Sequence, residues 1–175
     1  MNKLNLILIS LTFVFFFSNN YSFSSNINFI SGKIKVTDGD TIKIGKEKIR
    51  LFGIDAPELK QICKGLQGNY LCGKRSKEFL EIFTKESEIT CLYSTRDRYK
   101  RILGVCYIGG KESLAVKKKA KKLELNSTMV RKGHAVAYIK YSNKYINDEI
   151  YAKSNNHGIW KGSFDFPWEW RKKNK

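Results

Sequence analysis

The chain has 175 residues and a formal net charge of +17, from 33 Lys and Arg against 16 Asp and Glu. With 42% hydrophobic residues it can bury one compact core, which excludes a disordered chain and leaves room for one domain plus a targeting segment. So large a positive charge points to a polyanionic partner (nucleic acid, anionic membrane or acidic polysaccharide), although charge alone specifies neither fold nor reaction.

Residues 1–24 read as a secretory signal peptide: Lys3 opens an apolar run from Leu4 to Phe17, and Ser22 and Ser24 offer a small-x-small cleavage pattern. The run is short for a membrane span, which takes about 20 apolar residues. The expected location is therefore secreted or periplasmic, with an uncleaved N-terminal anchor as the alternative. Residues 25–175 then form a single domain with a basic C-terminal tail from about Arg171.

Phe29–Val36, Thr41–Ile44 and Lys48–Ile54 read as the first three strands, the last two joined by a Gly45-Lys46 turn. If residues 44 and 47 pair, Ile42, Ile44, Ile49 and Leu51 share a buried face and Asp40 lies opposite Leu51. A straight strand would carry Asp55 roughly 13 Å further on, at about 3.3 Å per residue. The two acids meet only if the chain bends back after Gly53, and strict alternation places Arg50 on the face away from Asp40. Leu59–Cys72 reads as a loop. Lys74–Lys85 reads as a helix with Phe79, Ile82 and Phe83 on one apolar stripe. Glu88–Tyr93 and Ile102–Ile108 supply two further strands. Lys111–Lys122 is a basic excursion, Leu123–Lys132 a helix, Ala135–Ile139 a short strand, and Tyr145–Asn156 a last helix with Ile146 and Ile150 on one side. Five short strands with about three helices predict an α+β, mainly β fold: a five-stranded antiparallel barrel of the oligonucleotide-binding (OB) type.

Four cysteines behind a leader point to disulfides with three connectivities. The favoured one joins Cys63 to Cys72, which bracket one loop, and Cys91 to Cys106, on strands that could be neighbours. A zinc site competes poorly, because no Cys-x-x-Cys is present and the only histidines are His134 and His157.

Asp40, Asp55 and Glu58 are hard oxygen donors of the kind that bind Ca²⁺, and Arg50 and Arg101 are candidate phosphate clamps. An Asp-Gly pair on its own marks a turn, and a lone strand arginine marks a surface ion pair. Three separated motifs decide between these readings. Val36-Thr-Asp-Gly-Asp-Thr41, Arg50-Leu-Phe-Gly-Ile-Asp-Ala-Pro-Glu58 and Asp97-Arg-Tyr-Lys-Arg101 resemble the thermonuclease (staphylococcal-nuclease-like) family. So do Leu125-Asn126, Met129–Gly133 and Ala135–Tyr138, in family order over about Gly32 to Trp170. The cysteines and the Pro167–Arg171 ending are similar to those of exported bacterial members.

The resemblance implies a Ca²⁺-dependent endonuclease that cuts DNA and RNA, single-stranded or locally opened, to leave 3′-phosphates, acting as a monomer. It implies metal ligation by Asp40, Asp55 and the carbonyl of Ala56, catalysis by Arg50, Glu58 and Arg101, and substrate contacts from Tyr138 and, with spacing one residue off, Tyr141. Lys100 stands where the family often has glycine, which bears on how the loop aims Arg101. The alternatives are a non-catalytic basic OB-fold that binds nucleic acid at the cell envelope, or a basic envelope protein that binds anionic lipid or glycan. Simultaneous presence of the three acids and two arginines favours the enzyme.

Overall fold

The computed structural model describes residues 27–110 and 123–175. The expected leader and the Lys111–Lys122 excursion lie outside the described residues. Five strands close into a barrel in the order β1 (Asn28–Asp38), β2 (Thr41–Ile44), β3 (Glu47–Leu51), β8 (Ile102–Ile108), β7 (Glu88–Arg96) and back to β1. The long first strand makes closure possible. Residues 28–33 pair with β7, and residues 34–38 pair with β2 past an irregularity between Val36 and Asp38.

Ile44 pairs with Glu47 across the tight turn, as the alternation predicts. Ile42, Ile44, Ile49 and Leu51 all point into the core, with Ile89, Ile102 and the cysteines of β7 and β8. The barrel is mixed rather than antiparallel, because β3 and β8 run parallel from Ile49↔Ile102 to Leu51↔Gly104. The reason is geometric: an odd number of strands cannot alternate direction all the way round a closed ring, so one parallel pair is unavoidable.

Four α-helices are present among the described residues: α1 (Cys72–Thr84), α2 (Leu125–Arg131), α3 (Ile146–Ser154) and α4 (Pro167–Lys173). In α1 the buried line is Gly73, Ser76, Leu80 and Thr84, with Phe79 and Phe83 at its flank. Ile82 was expected on the apolar stripe but is 75% exposed, two residues and so about 200° round from Leu80. Ile150 of α3 is likewise exposed, and Ala152 is that helix's buried residue.

The segment Leu59–Cys72 holds a hairpin, β5 (Ile62–Gly65) with β6 (Gly68–Leu71), where a loop was expected. Both favoured disulfides are present. Cys63–Cys72 ties this hairpin to the start of α1, and Cys91–Cys106 joins directly paired residues of β7 and β8. A second small cluster, Cys63, Cys72, Val136 and Ile159, packs with Tyr70, Trp160, Phe164, Phe166 and Trp168. It anchors the C-terminal segment beside the hairpin. No helix among the described residues is long and apolar enough to cross a membrane.

Candidate active site

The chain leaves the barrel after Leu51, turns at Gly53 with φ +77°, and enters β4 (Ile54–Asp55). A side chain there would be strained in that backbone conformation and would also press on the Tyr145 ring, so glycine is required. β4 pairs with β9 (Val136–Ala137), placing Asp55 against Val136. This is the bend the sequence demanded. It brings Asp55 back beside the Asp38–Asp40 turn, whose Asp40 carbonyl accepts the Leu51 N–H at 2.8 Å.

The Arg50 guanidinium donates to Asp40 Oδ1 at 2.5 Å and to Asp55 Oδ1 at 2.7 Å. Alternation predicted Arg50 and Asp40 on opposite faces. Asp40 escapes that rule because it sits in the turn before β2 begins, while Thr41, the true partner of Arg50, bonds Asp40 through its hydroxyl. The other oxygen of Asp40 accepts the Ala56 amide at 2.9 Å.

Glu58 follows on the same loop. Its backbone is held from two sides: its N–H donates to Gln61 Oε1, and α1 packs so close that a Cβ on Gly73 would overlap the Glu58 carbonyl at 1.8 Å. Gln61 is fully buried and clips this loop to the C-terminal segment by donating to the Asp165 carbonyl at 2.7 Å. Nothing in its sequence surroundings marked it out.

The residue that sequence reasoning missed altogether is Arg171. It does not begin a free tail. It lies inside α4, and its guanidinium reaches Asp55 at 2.7 and 3.1 Å and Glu58 at 2.8 Å. Asp55 is therefore the centre of the cluster, sharing Arg50 with Asp40 and Arg171 with Glu58.

The electrostatics follow from crowding. Burial, with the Asp40 charge beside it, pushes the Asp55 carboxyl above its ordinary value despite the arginines. Burial and Asp40 push Asp38 up to about 6. Burial pulls the Arg50 and Arg171 guanidiniums down, but their carboxylate partners outweigh it and hold both above the usual value. The cluster thus favours added positive charge.

Its donors, the Asp40 and Asp55 carboxylates with backbone carbonyls beside them, are hard oxygens and fit a divalent cation such as Ca²⁺. The Arg171 guanidinium, drawn in from the far end of the chain, supplies one positive charge there. Among the described residues no three His, Cys, Asp or Glu side chains form a ready-made cation cage. Asp40 and Asp55 would therefore need the Ala56 carbonyl and water to complete a shell.

Arg101 is not part of this cluster. It precedes the first residue pair of the β3–β8 ladder and pairs with Asp97 at 2.7 Å. Despite burial, its hydrogen bonds hold Asp97 below the usual carboxylate range. Lys100 takes the left-handed conformation that glycine would occupy without strain, φ +64°, and its N–H donates to the Asp97 carbonyl. The turn keeps its form, and lysine bears a small conformational cost there.

Tyr138 is set next to the acids because its N–H donates to the Gly53 carbonyl. Its ring stacks on Trp168 with centroids 5.3 Å apart and meets Tyr141 edge-on at 4.8 Å. Tyr141 is 59% exposed.

An OB-type barrel carrying carboxylates and guanidiniums at the bend after its third strand belongs to the class of proteins built to handle phosphodiesters. The family model described as staphylococcal nuclease homologue matches residues 48–162, and the chain belongs to that nuclease family. Arg50, Asp55, Glu58, Arg101 and Tyr138 fall inside the matched span; Asp40 and Arg171 fall outside it. The chain is 37% identical over 136 residues to the succinoglycan biosynthesis protein ExoI of Rhizobium meliloti, covering 75% of this chain and 65% of that protein's length. It is 31% identical over 145 residues to an uncharacterized endonuclease of Escherichia coli (79% and 82% covered). It is 30% identical over 141 residues to the endonuclease YncB of Bacillus subtilis (74% and 60% covered).

Proposed function

We propose that this nuclease-family protein is a Ca²⁺-dependent endonuclease that hydrolyses DNA and RNA to 3′-phosphate ends. The observation that carries the reading is the meeting of Asp40 and Asp55 on one guanidinium, with Glu58 on the adjoining loop. Asp40, Asp55 and the Ala56 carbonyl would hold the cation. When bound, Ca²⁺ supplies Lewis acidity toward a non-bridging phosphate oxygen.

The remaining work falls to the chain's own residues. Glu58 accepts a proton from the attacking water as its oxygen bonds to phosphorus. The P–O5′ bond then breaks, the leaving 5′ oxygen takes a proton from solvent water, and Glu58 returns its proton to solvent. Arg50 exchanges its carboxylate partners for phosphoryl oxygens, where fixed donors matter most as charge grows. Arg101 swings from Asp97 to take a second oxygen. Tyr138 and Tyr141 offer ring faces and edges to the bases of a single-stranded or locally opened substrate. The protein acts as a monomer, secreted or periplasmic; residues 1–24 and the two disulfides support that placement.

Digestion of single-stranded DNA and RNA with Ca²⁺ and with chelator, by wild type and Glu58→Gln, tests this. Cleavage that needs Ca²⁺ and drops at least about 100-fold in the variant is the expected result. Equal cleavage in chelator, or strand retardation without digestion, overturns it.

A further inference from the structure

The C-terminal helix α4 has seven residues, too few to stand alone in water. Its local signals are favourable: Pro167 in the first turn, Glu169 near the N-terminus, and Arg171, Lys172 and Lys173 at the end. What it packs on is the site. Trp168 and Arg171 are three residues apart and so share one helix face. Trp168 lies flat on Tyr138, its ring plane within 2° of parallel. Arg171 forks onto both oxygens of Asp55 and also takes Glu58 Oε1.

Asp55 is wholly buried, and among its hydrogen bonds Oδ1 serves Arg50 and Arg171 while Oδ2 serves Arg171. Both oxygens are engaged by guanidinium groups while the helix is in place, so a cation reaching Asp55 must compete with Arg171. Glu58 is tied to the same guanidinium through Oε1. One ring face of Tyr138 is covered by the Trp168 indole.

We infer that α4 is a built-in competitor of the site, in which Arg171 takes the cation's place on Asp55 and Trp168 takes a base's place on Tyr138. This inference rests on the cation reading above. Binding of the cation displaces Arg171 from Asp55, which frees Glu58 in the same movement, and lets Trp168 lift from Tyr138. Two ligands of one carboxylate that exclude each other must weaken each other reciprocally. The chain therefore binds its cation more weakly than its carboxylates alone would. A rise in free cation concentration is what opens the site.

Calorimetric titration of Ca²⁺ into the full disulfide-bonded chain tests this directly, comparing wild type with Arg171→Gln and Asp55→Asn. The expected result is affinity roughly tenfold tighter in Arg171→Gln, within the usual range of coupling between two sites, and loss of binding in Asp55→Asn. Unchanged or weaker binding in Arg171→Gln overturns the inference and makes Arg171 a strut for the acids, while leaving the nuclease reading intact. Absence of Ca²⁺ binding in wild type and Arg171→Gln alike removes the cation reading and this inference with it.

A second measurement needs no change at Arg171. Acrylamide quenching of tryptophan emission, with Trp168→Phe subtracted to isolate Trp168, should rise when Ca²⁺ is added to wild type. A Trp168 signal that does not respond to saturating Ca²⁺ also overturns the inference.

Discussion

Replacing Arg50 with alanine separates what this residue does for the fold from what it does for the reaction. Its guanidinium is the group that Asp40 and Asp55 share, at 2.5 and 2.7 Å, and its side chain is only 18% exposed. Charge-assisted hydrogen bonds contribute about 1.5–3 kcal/mol each, and breaking a buried ion pair by deleting one partner costs about 3–5 kcal/mol. Asp55 keeps Arg171, and Asp40 keeps the Thr41 hydroxyl and the Ala56 amide. The loss therefore falls at the lower end, about 3 kcal/mol. For a domain of this size that lowers the melting midpoint by roughly 6–12 °C. The assay is thermal unfolding at pH 7 and low salt in chelator, repeated with excess Ca²⁺, beside digestion of single-stranded DNA. Ca²⁺ should restore part of the lost stability, because a divalent charge between Asp40 and Asp55 answers the same repulsion. Cleavage should stay at least about 100-fold down, because the phosphate has lost its clamp. A variant within about 1 kcal/mol of wild type in chelator refutes the ion-pair account. Wild-type cleavage by the same variant refutes the clamp.

Asn126 is fully buried and joins three backbone groups: it accepts the Cys106 N–H and donates to the Phe52 and Gly104 carbonyls. Asn126→Ala orphans the Cys106 amide and the Phe52 carbonyl and should cost about 3 kcal/mol in urea unfolding, at about 1–3 kcal/mol per buried orphan; a cost below about 1 kcal/mol contradicts this. His134 stacks on Phe79 at 4.0 Å, and burial, with Arg75 nearby, lowers its pKa to about 4. The unfolded chain takes up that proton near pH 6.5, so stability is full above about 6.5 and falls as pH drops toward 4; discounted for partial exposure, the loss at pH 5 is about 1–2 kcal/mol. Urea unfolding of His134→Gln at pH 7 and pH 5 should show that much less acid sensitivity than wild type, and an identical pH dependence would dismiss the histidine as its source.

What could be read from the residues was what local periodicity or a local motif controls. The β2–β3 hairpin follows from Ile42, Ile44, Ile49 and Leu51 alternating about a Gly45-Lys46 turn, with Gly45 at φ +56°. The bend at Gly53 follows from the need to return Asp55 to Asp40. Less local features did not show. The β5–β6 hairpin has no hydrophobic alternation: Cys63 is its one buried residue, held by the disulfide and by the Lys64↔Ser163 bridge. The Ile82 error arose from choosing one of two overlapping i,i+3/i+4 rows in α1, and only the barrel wall decides which row faces inward. Arg171 lay beyond any local rule, since its partners are 116 and 113 positions away. The one available hint was that a basic run beginning immediately after Pro-Trp-Glu-Trp continues a helix rather than trailing off.

Ring closure of the five strands also bears on how the chain behaves in concentrated solution. A sheet that ends exposes a row of unpaired amides and carbonyls, a template for intermolecular pairing and aggregation. Here β1 reaches round to meet β7, so the main sheet offers no such template among the described residues. The small β5–β6 sheet does have margins, and one is held by the bridge to Ser163 while the Cys63–Cys72 bond fastens the pair to the helix behind it. A strongly cationic chain whose main sheet is closed in this way should stay dispersed at concentrations where an open sheet of equal size would form fibrils.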